Sequence, residues 1–178
     1  MKPMRSLKAR ALQWLAQREQ SRVELRRKLL PHAVAEAEAA AAEGSTATAT
    51  AVPPVTRVEA VLDWLEAHDY LSSERFVESR VHARSARFGN LRIRQELKQH
   101  QVVLTADAAQ ALRNTERQRA ATVRARKFGD APPSTAAERA KQARFLAGRG
   151  FSPEAIGRAL RDAGQPPDAT DDTETAPG

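Results

Sequence analysis

The 178-residue chain contains no cysteine, which excludes disulfides, zinc–thiolate sites and cysteine nucleophiles. Long apolar runs are missing too. No stretch approaches membrane-spanning length, and the opening residues MKPMRSLKAR carry no apolar signal core. The expectation is a cytoplasmic protein with no membrane partner. The glycines form no Walker loop, GxGxxG or GxSxG motif. Histidine is scarce: His32, His68, His82 and His100 have no second histidine or carboxylate at metal-ligand spacing. Ser21, Ser72 and Ser152 stand where helix caps are needed. Glu59, Asp63 and Glu66 lie along one helix, where pairing or solvation explains them better than catalysis. The residues predict no enzyme, no metal and no cofactor.

Aromatics are few: two Trp, one Tyr and five Phe. A base-stacking platform needs exposed aromatics between arginines, and only Phe88 in ARFGNLRIR meets that description. The burial preference of phenylalanine still favours packing for it. Trp14 and Trp64 fit the apolar pattern of helices, and Tyr70 follows a helix end. Val, Ile, Leu and Phe together number only 33 of 178, low enough to raise the question of disorder. Two stretches account for much of the shortfall. Residues 33–56 (AVAEAEAAAAEGSTATATAVPPVT) are of low complexity and read as a flexible insertion. Residues 165–178 (QPPDATDDTETAPG) read as a disordered acidic tail. The remaining cores must be small and helped by alanine.

Charge is plentiful and unevenly placed. The net charge is +7; residues 1–30 carry +7, 31–56 carry −3, 57–80 carry −3, 81–130 carry +7, 131–164 carry +3 and the tail −4. Positive blocks separated by acidic ones suit a surface that meets a polyanion in places. The plainer alternative is a solvated arginine-rich face.

No segment alternates large apolar residues with period two, so the rest reads as helices. Ser21-Arg22-Val23-Glu24 is a capping box, Ser72 or Ser73 and Thr105 are further caps, and Ser152-Pro153 joins a cap to a proline at the first helical position. The predicted helices are 6–18, 21–30, 57–68, 73–87, 90–99, 105–112, 114–128, 134–148 and 152–162. A repeat is visible in their leucines. Leu146 to Leu160 spans 14 residues, Leu97 to Leu112 spans 15 and Leu29 to Leu62 spans 33. The excess in the last matches the low-complexity stretch. Val58/Leu62, Ala108/Leu112 and Ile156/Leu160 then align as i, i+4 pairs, and Arg149-Gly150-Phe151 aligns with His100-Gln101-Val102. The expected fold is all-α: three tandem three-helix repeats, 6–69, 70–113 and 114–164, forming an elongated, curved helical array in which each repeat leans on its neighbours.

The basic clusters are the candidate contacts: Arg84, Arg87, Arg92, Arg94 and Lys98 in the middle repeat, and Arg124, Arg126, Lys127 and Arg144 in the last. As phosphate contacts they would give salt-dependent, sequence-independent affinity. Arg26, Arg27 and Lys28 end a helix, where positive charge suits the macrodipole.

SLKARALQWLAQREQSRVELRRKLL, VLDWLEAHDYLSSERFVESRVHAR, FGNLRIRQELKQHQV and KFGDAPPSTAAERAKQARFLAGRGFSPEAIGRAL, in this order, resemble the RecX family of regulatory proteins. The resemblance runs from about residue 6 to 162, interrupted at 33–56. It departs at Leu30-Pro31-His32 and at His100-Gln101, where the family's lysine-glycine turn is absent, and at Val77, where the family has alanine. It implies a bacterial cytoplasmic modulator of the RecA recombinase. Such a protein binds the RecA filament on single-stranded DNA and restrains its ATPase and strand exchange in recombination, DNA repair and the SOS response. A monomer is expected. On that reading the acidic face of Glu59, Asp63 and Glu66 meets basic protein. The competing readings are a general DNA-binding helical protein without a recombinase partner, and a helical protein–protein adaptor.

Overall fold

A computed structural model describes residues 5–42 and 52–164. The tail expected from 165 and the centre of the expected insertion lie outside the described residues. Among the described residues there are eight α-helices and no strand: α1 (Leu7–Leu15), α2 (Arg22–Ala42), α3 (Pro54–Ala67), α4 (Ser73–Ser85), α5 (Asn90–Gln99), α6 (Ala106–Phe128), α7 (Ala136–Gly148) and α8 (Pro153–Arg161). The capping predictions hold in atomic detail. Ser21 Oγ accepts from the Glu24 amide at 3.1 Å, and the Glu24 carboxylate accepts from the Ser21 amide at 3.4 Å, both arms of the box. Ser72, Thr105 and Ser152 accept from the amides of Arg75, Ala108 and Ala155.

Two differences from the sequence reading have local causes. Helix α2 does not stop at Leu30 but runs to Ala42, so residues 33–42 of the expected flexible insertion are helical. Pro31 lacks the N–H that would bond the carbonyl four residues back, a cost of about 3 kcal/mol in a helix interior. Its side chain is exposed, and the turns beyond it gain fixed partners: Ala33 is buried in the core and Glu36 pairs with Arg57 of α3. The alanine run supplies the best intrinsic helix propensity for the remainder. The second difference is α6, one helix where 105–112 and 114–128 were expected as two. Arg113-Asn114-Thr115 contains neither glycine nor proline, so nothing breaks it. The repeat boundary expected at 113/114 therefore falls inside a continuous helix.

The described residues pack as two compact units. One holds residues 5–42, 52–83 and 94–104; the other holds 84–93 and 105–164. Helices α4 and α5 contribute residues to both. The first core gathers Leu7 and Ala11 from α1, Leu25, Leu29 and Ala33 from α2, Val58, Leu62 and Leu65 from α3, and Leu71, with Trp14 and Trp64 half-buried at its margin. The second gathers Ala120, Val123, Leu146, Phe151, Ala155, Ile156, Ala159 and Leu160. Three of its eight members are alanine, which lets short helices approach closely where large side chains are few.

The turns after α3, α5 and α7 share one geometry. Leu65, Leu97 and Leu146 each accept from the amide of a residue five positions on, Tyr70, Val102 and Phe151, while Asp69, Gln101 and Gly150 bond one carbonyl nearer. These are Schellman-type helix ends, and the residue at the crossing lies in the left-handed region: Asp69 φ 57°, Gln101 φ 56°, Gly150 φ 79°. The alignment of Arg149-Gly150-Phe151 with His100-Gln101-Val102 thus corresponds to a shared backbone turn.

Candidate functional site

In the first unit the acidic face of α3 is already paired, three carboxylates with two arginines of α2. Residues 59, 63 and 66 recur at helical spacing, so all three carboxylates reach α2. Arg22 donates through Nη2 to Glu59 at 2.6 Å and to Asp63 at 2.7 Å, and through Nη1 to Glu66 at 2.6 Å; Arg26 reaches Glu59 at 2.7 Å. Burial alone would lower the Arg22 pKa, but its bonds to Asp63 and Glu59 and the charge of Glu66 raise it above the ordinary arginine value. The reading of this face as a docking site for basic protein is corrected accordingly, because Arg22 and Arg26 occupy it.

The capping-box glutamate is a second hub. Glu24 is buried, and its carboxylate receives Arg18 at 3.0 Å and Arg80 of α4 at 3.1 Å, with His100 Nδ1 4.0 Å away. Ser21 Oγ lies 3.1 Å from His100 Nδ1, and Arg80 also reaches Glu96 at 3.4 Å. Burial pushes the Glu24 carboxyl up, but Arg18, Arg80 and His100 outweigh it and hold the group below the usual range. His100, read from sequence as one of four isolated histidines, belongs to this cluster and meets the Phe76 ring edge-on.

In the second unit the two motifs FGN (88–90) and RGF (149–151) meet. The Gly89 amide donates to the Arg149 carbonyl and the Leu91 amide to the Gly150 carbonyl, each at 3.0 Å. A Cβ on Gly89 would collide with the backbone of Gly150 and Phe151, and one on Gly150 would lie 2.6 Å from the Arg92 nitrogen. Below this junction sits Glu116 of α6, buried, accepting from the Asn90 amide at 2.8 Å, the Ser152 amide at 3.3 Å and Ser152 Oγ at 2.8 Å. One carboxylate thus serves the N-termini of α5 and α8, where backbone donors lack helical partners and the dipole favours an anion. Arg119 completes the arrangement, donating to the Phe88 carbonyl at 2.9 Å and to Asn90 Oδ1 at 2.6 Å. Burial lowers its pKa, which Glu116 partly opposes.

The candidate basic residues separate into distinct groups. Arg124 is only 2 % exposed; its guanidinium bonds Gln142 Oε1 at 2.8 Å and the carbonyls of Gly129 and Ala131. It ties the end of α6 to the following loop and to α7, and its place among surface contacts is corrected. Arg84 is half-buried and has interactions of its own. Arg87, Arg92, Arg126, Lys127 and Arg144 are exposed in the second unit, and Arg94 and Lys98 are exposed in the first. None of these seven pairs with a carboxylate among the described residues. Charge follows the same division. The described residues of the first unit carry thirteen basic and eleven acidic side chains, net +2; those of the second carry fifteen and six, net +9. Sequence reading missed the stacking of Arg149 on Phe145 and Glu116 as a hub. The spacing of Phe145 and Arg149, i and i+4 on α7's end, was the available signal for the first; nothing local marks the second.

No three His, Asp or Glu side chains converge as a metal ion would require among the described residues, and no described helix is long and apolar enough to cross a membrane. The models for the second and third three-helix domains of RecX match residues 74–103 and 115–160. The chain is 45% identical over 160 residues to the regulatory protein RecX of Ralstonia nicotianae, covering 89% of this chain and 88% of that one. It is 46% identical to the RecX of Leptothrix cholodnii, over 90% of both chains. Identity to the RecX of Neisseria gonorrhoeae is 35%, over 92% of this chain and 94% of the other. Near-complete coverage at such identity, with the helical domains in matching order, shows that the chain belongs to the RecX family of regulatory proteins.

Proposed function

We propose that this chain binds the RecA filament on single-stranded DNA and restrains its ATPase and strand-exchange activity, acting without catalysis of its own. Membership of the RecX family carries this reading. The net +9 of the second unit supports it, because a nucleoprotein filament offers phosphate and acidic protein together. In this proposal Arg87, Arg92, Arg126, Lys127 and Arg144, with Arg94 and Lys98, supply the contacts, and the tripartite repeat 6–69, 70–113 and 114–164 is the unit of organisation. The protein works as a bacterial cytoplasmic monomer in recombination, DNA repair and the SOS response.

Co-sedimentation tests the partnership. RecA assembled on oligodeoxythymidylate with a non-hydrolysable nucleotide should carry the chain into the pellet, and RecA without DNA should not. Absence from the filament pellet contradicts the proposal. The charge of the second unit also favours a second reading, a DNA-binding protein with no recombinase partner. That reading predicts equal retention by naked single strands and by filament.

A further inference from the structure

Around the FGN/RGF junction of the second unit, three guanidinium groups lie over aromatic rings and pair with no carboxylate among the described residues. Arg87 and Arg92 lie over the Phe88 ring, with guanidinium carbons 5.9 and 5.5 Å from its centroid. Arg149 lies over Phe145 at 4.4 Å, and its Nη1 approaches the Arg87 carbonyl at 3.5 Å. The Arg149 Nε is buried without a hydrogen-bond partner, where a buried donor normally finds an acceptor. No carboxylate pairs with any of the three among the described residues, although Arg22, Arg57, Arg75, Arg80, Arg117 and Arg158 all pair elsewhere. Phe88 and Phe145 are half-buried, neither lost in the core nor free in solvent.

We infer that Arg87, Arg92 and Arg149 form a binding site for backbone phosphates of a single-stranded nucleic acid, with Phe88 and Phe145 beside them as partial stacking surfaces. Cation–π contact fixes each guanidinium plane without consuming its charge. Planar guanidinium edges then meet phosphate oxygens in pairs, which a lysine ammonium cannot imitate. Interleaved arginine and aromatic side chains suit a strand whose bases are unpaired and can approach a ring. An acidic protein surface would find the same charge but no use for the rings. The closeness of the groups follows from the backbone. Gly89 and Gly150 let the two turns touch, which sets Arg87 and Arg92, flanking one turn, against Arg149 of the other. The inference deepens the single-strand half of the proposed function.

The test is fluorescence anisotropy with labelled oligodeoxythymidylate, without recombinase, across a range of salt. The wild-type chain should bind with log K falling linearly in log salt. The triple variant Arg87→Gln/Arg92→Gln/Arg149→Gln should lose affinity and flatten that slope by about 2, from about 0.7 per phosphate contact on a single strand. The variant Arg5→Gln/Arg10→Gln/Arg27→Gln removes the same charge from the first unit, at positions given no part in binding, and should leave the slope nearly unchanged. Equal flattening in both overturns the site in favour of a diffuse field, and so does an unchanged slope in the first. Equal affinity for a duplex of the same length overturns the part given to the rings. Circular dichroism checks folding; if the triple variant unfolds, Arg92→Gln alone, on an exposed side chain, should flatten the slope by about 0.7. Because no recombinase is present, failure here leaves filament binding to be judged by co-sedimentation, and failure there leaves this site standing.

Discussion

At the residue scale, the three Schellman-type helix ends turn on a left-handed residue, and only one of these three residues is glycine. For an L-residue with a Cβ this conformation costs roughly 1–2 kcal/mol. Gln101→Gly should therefore raise stability by about 1 kcal/mol in urea unfolding, less the added freedom of the unfolded chain. Gly150→Ala should go the other way by more than 1 kcal/mol or so, since it meets both the positive φ and the Arg92 backbone. If Gln101→Gly destabilises, the turn is not strained as described. Glu24 gives a pH test. Its folded pKa lies below its unfolded value of about 4.3, so its contribution is complete above that value and is lost as pH falls through the folded one. Glu24→Gln should cost about 1–3 kcal/mol at pH 7 and should flatten the acid limb of stability against pH. An unaltered limb would place the titrating group elsewhere.

At the level of elements, the short helices are held by shared ends as much as by burial. Glu116 meets the first turns of α5 and α8 at once, so Glu116→Ala leaves buried donors on two helices unsatisfied. It should lower stability by about 2–4 kcal/mol, from roughly 1–3 for each buried group exposed to partial compensation; a loss below 1 kcal/mol or so would show that water replaces it. This joint also marks the limit of what sequence alone could supply. Capping serines and threonines were legible because their partners lie three residues away, and the third-helix pairs because leucine spacing survives along the chain. Glu116 was not, because its partners are 26 and 36 residues distant. The end of α2 was misjudged because Pro31 is a strong local signal, whereas Ala33 and the Glu36–Arg57 pair act only once α3 is present. Arg124 was misplaced for the converse reason: a run of arginine and lysine reads as surface until a loop carbonyl and Gln142 enclose one member.

For the whole molecule, charge and pairing distinguish the units. Seven acidic residues of the first unit, Glu19, Glu24, Glu36, Glu59, Asp63, Glu66 and Glu96, pair with its own arginines, while the second unit keeps +9 with several exposed cations unpaired among the described residues. A matched pair of variants follows. Arg124→Gln, enclosed and bonded to three partners, should cost about 2–3 kcal/mol of stability. Arg126→Gln, exposed two residues away, should leave unfolding unchanged and weaken polyanion binding. The reverse pattern in thermal melts and filament titrations would invalidate the assignment of which arginine faces outward. Family membership gives the charged surface its expected partner. The most direct test is the single-stranded-DNA-dependent ATPase rate of the cognate RecA, titrated with this chain. The rate should fall at far fewer than one chain per recombinase subunit. A rate unchanged up to full stoichiometry, with the chain folded and present, would contradict it.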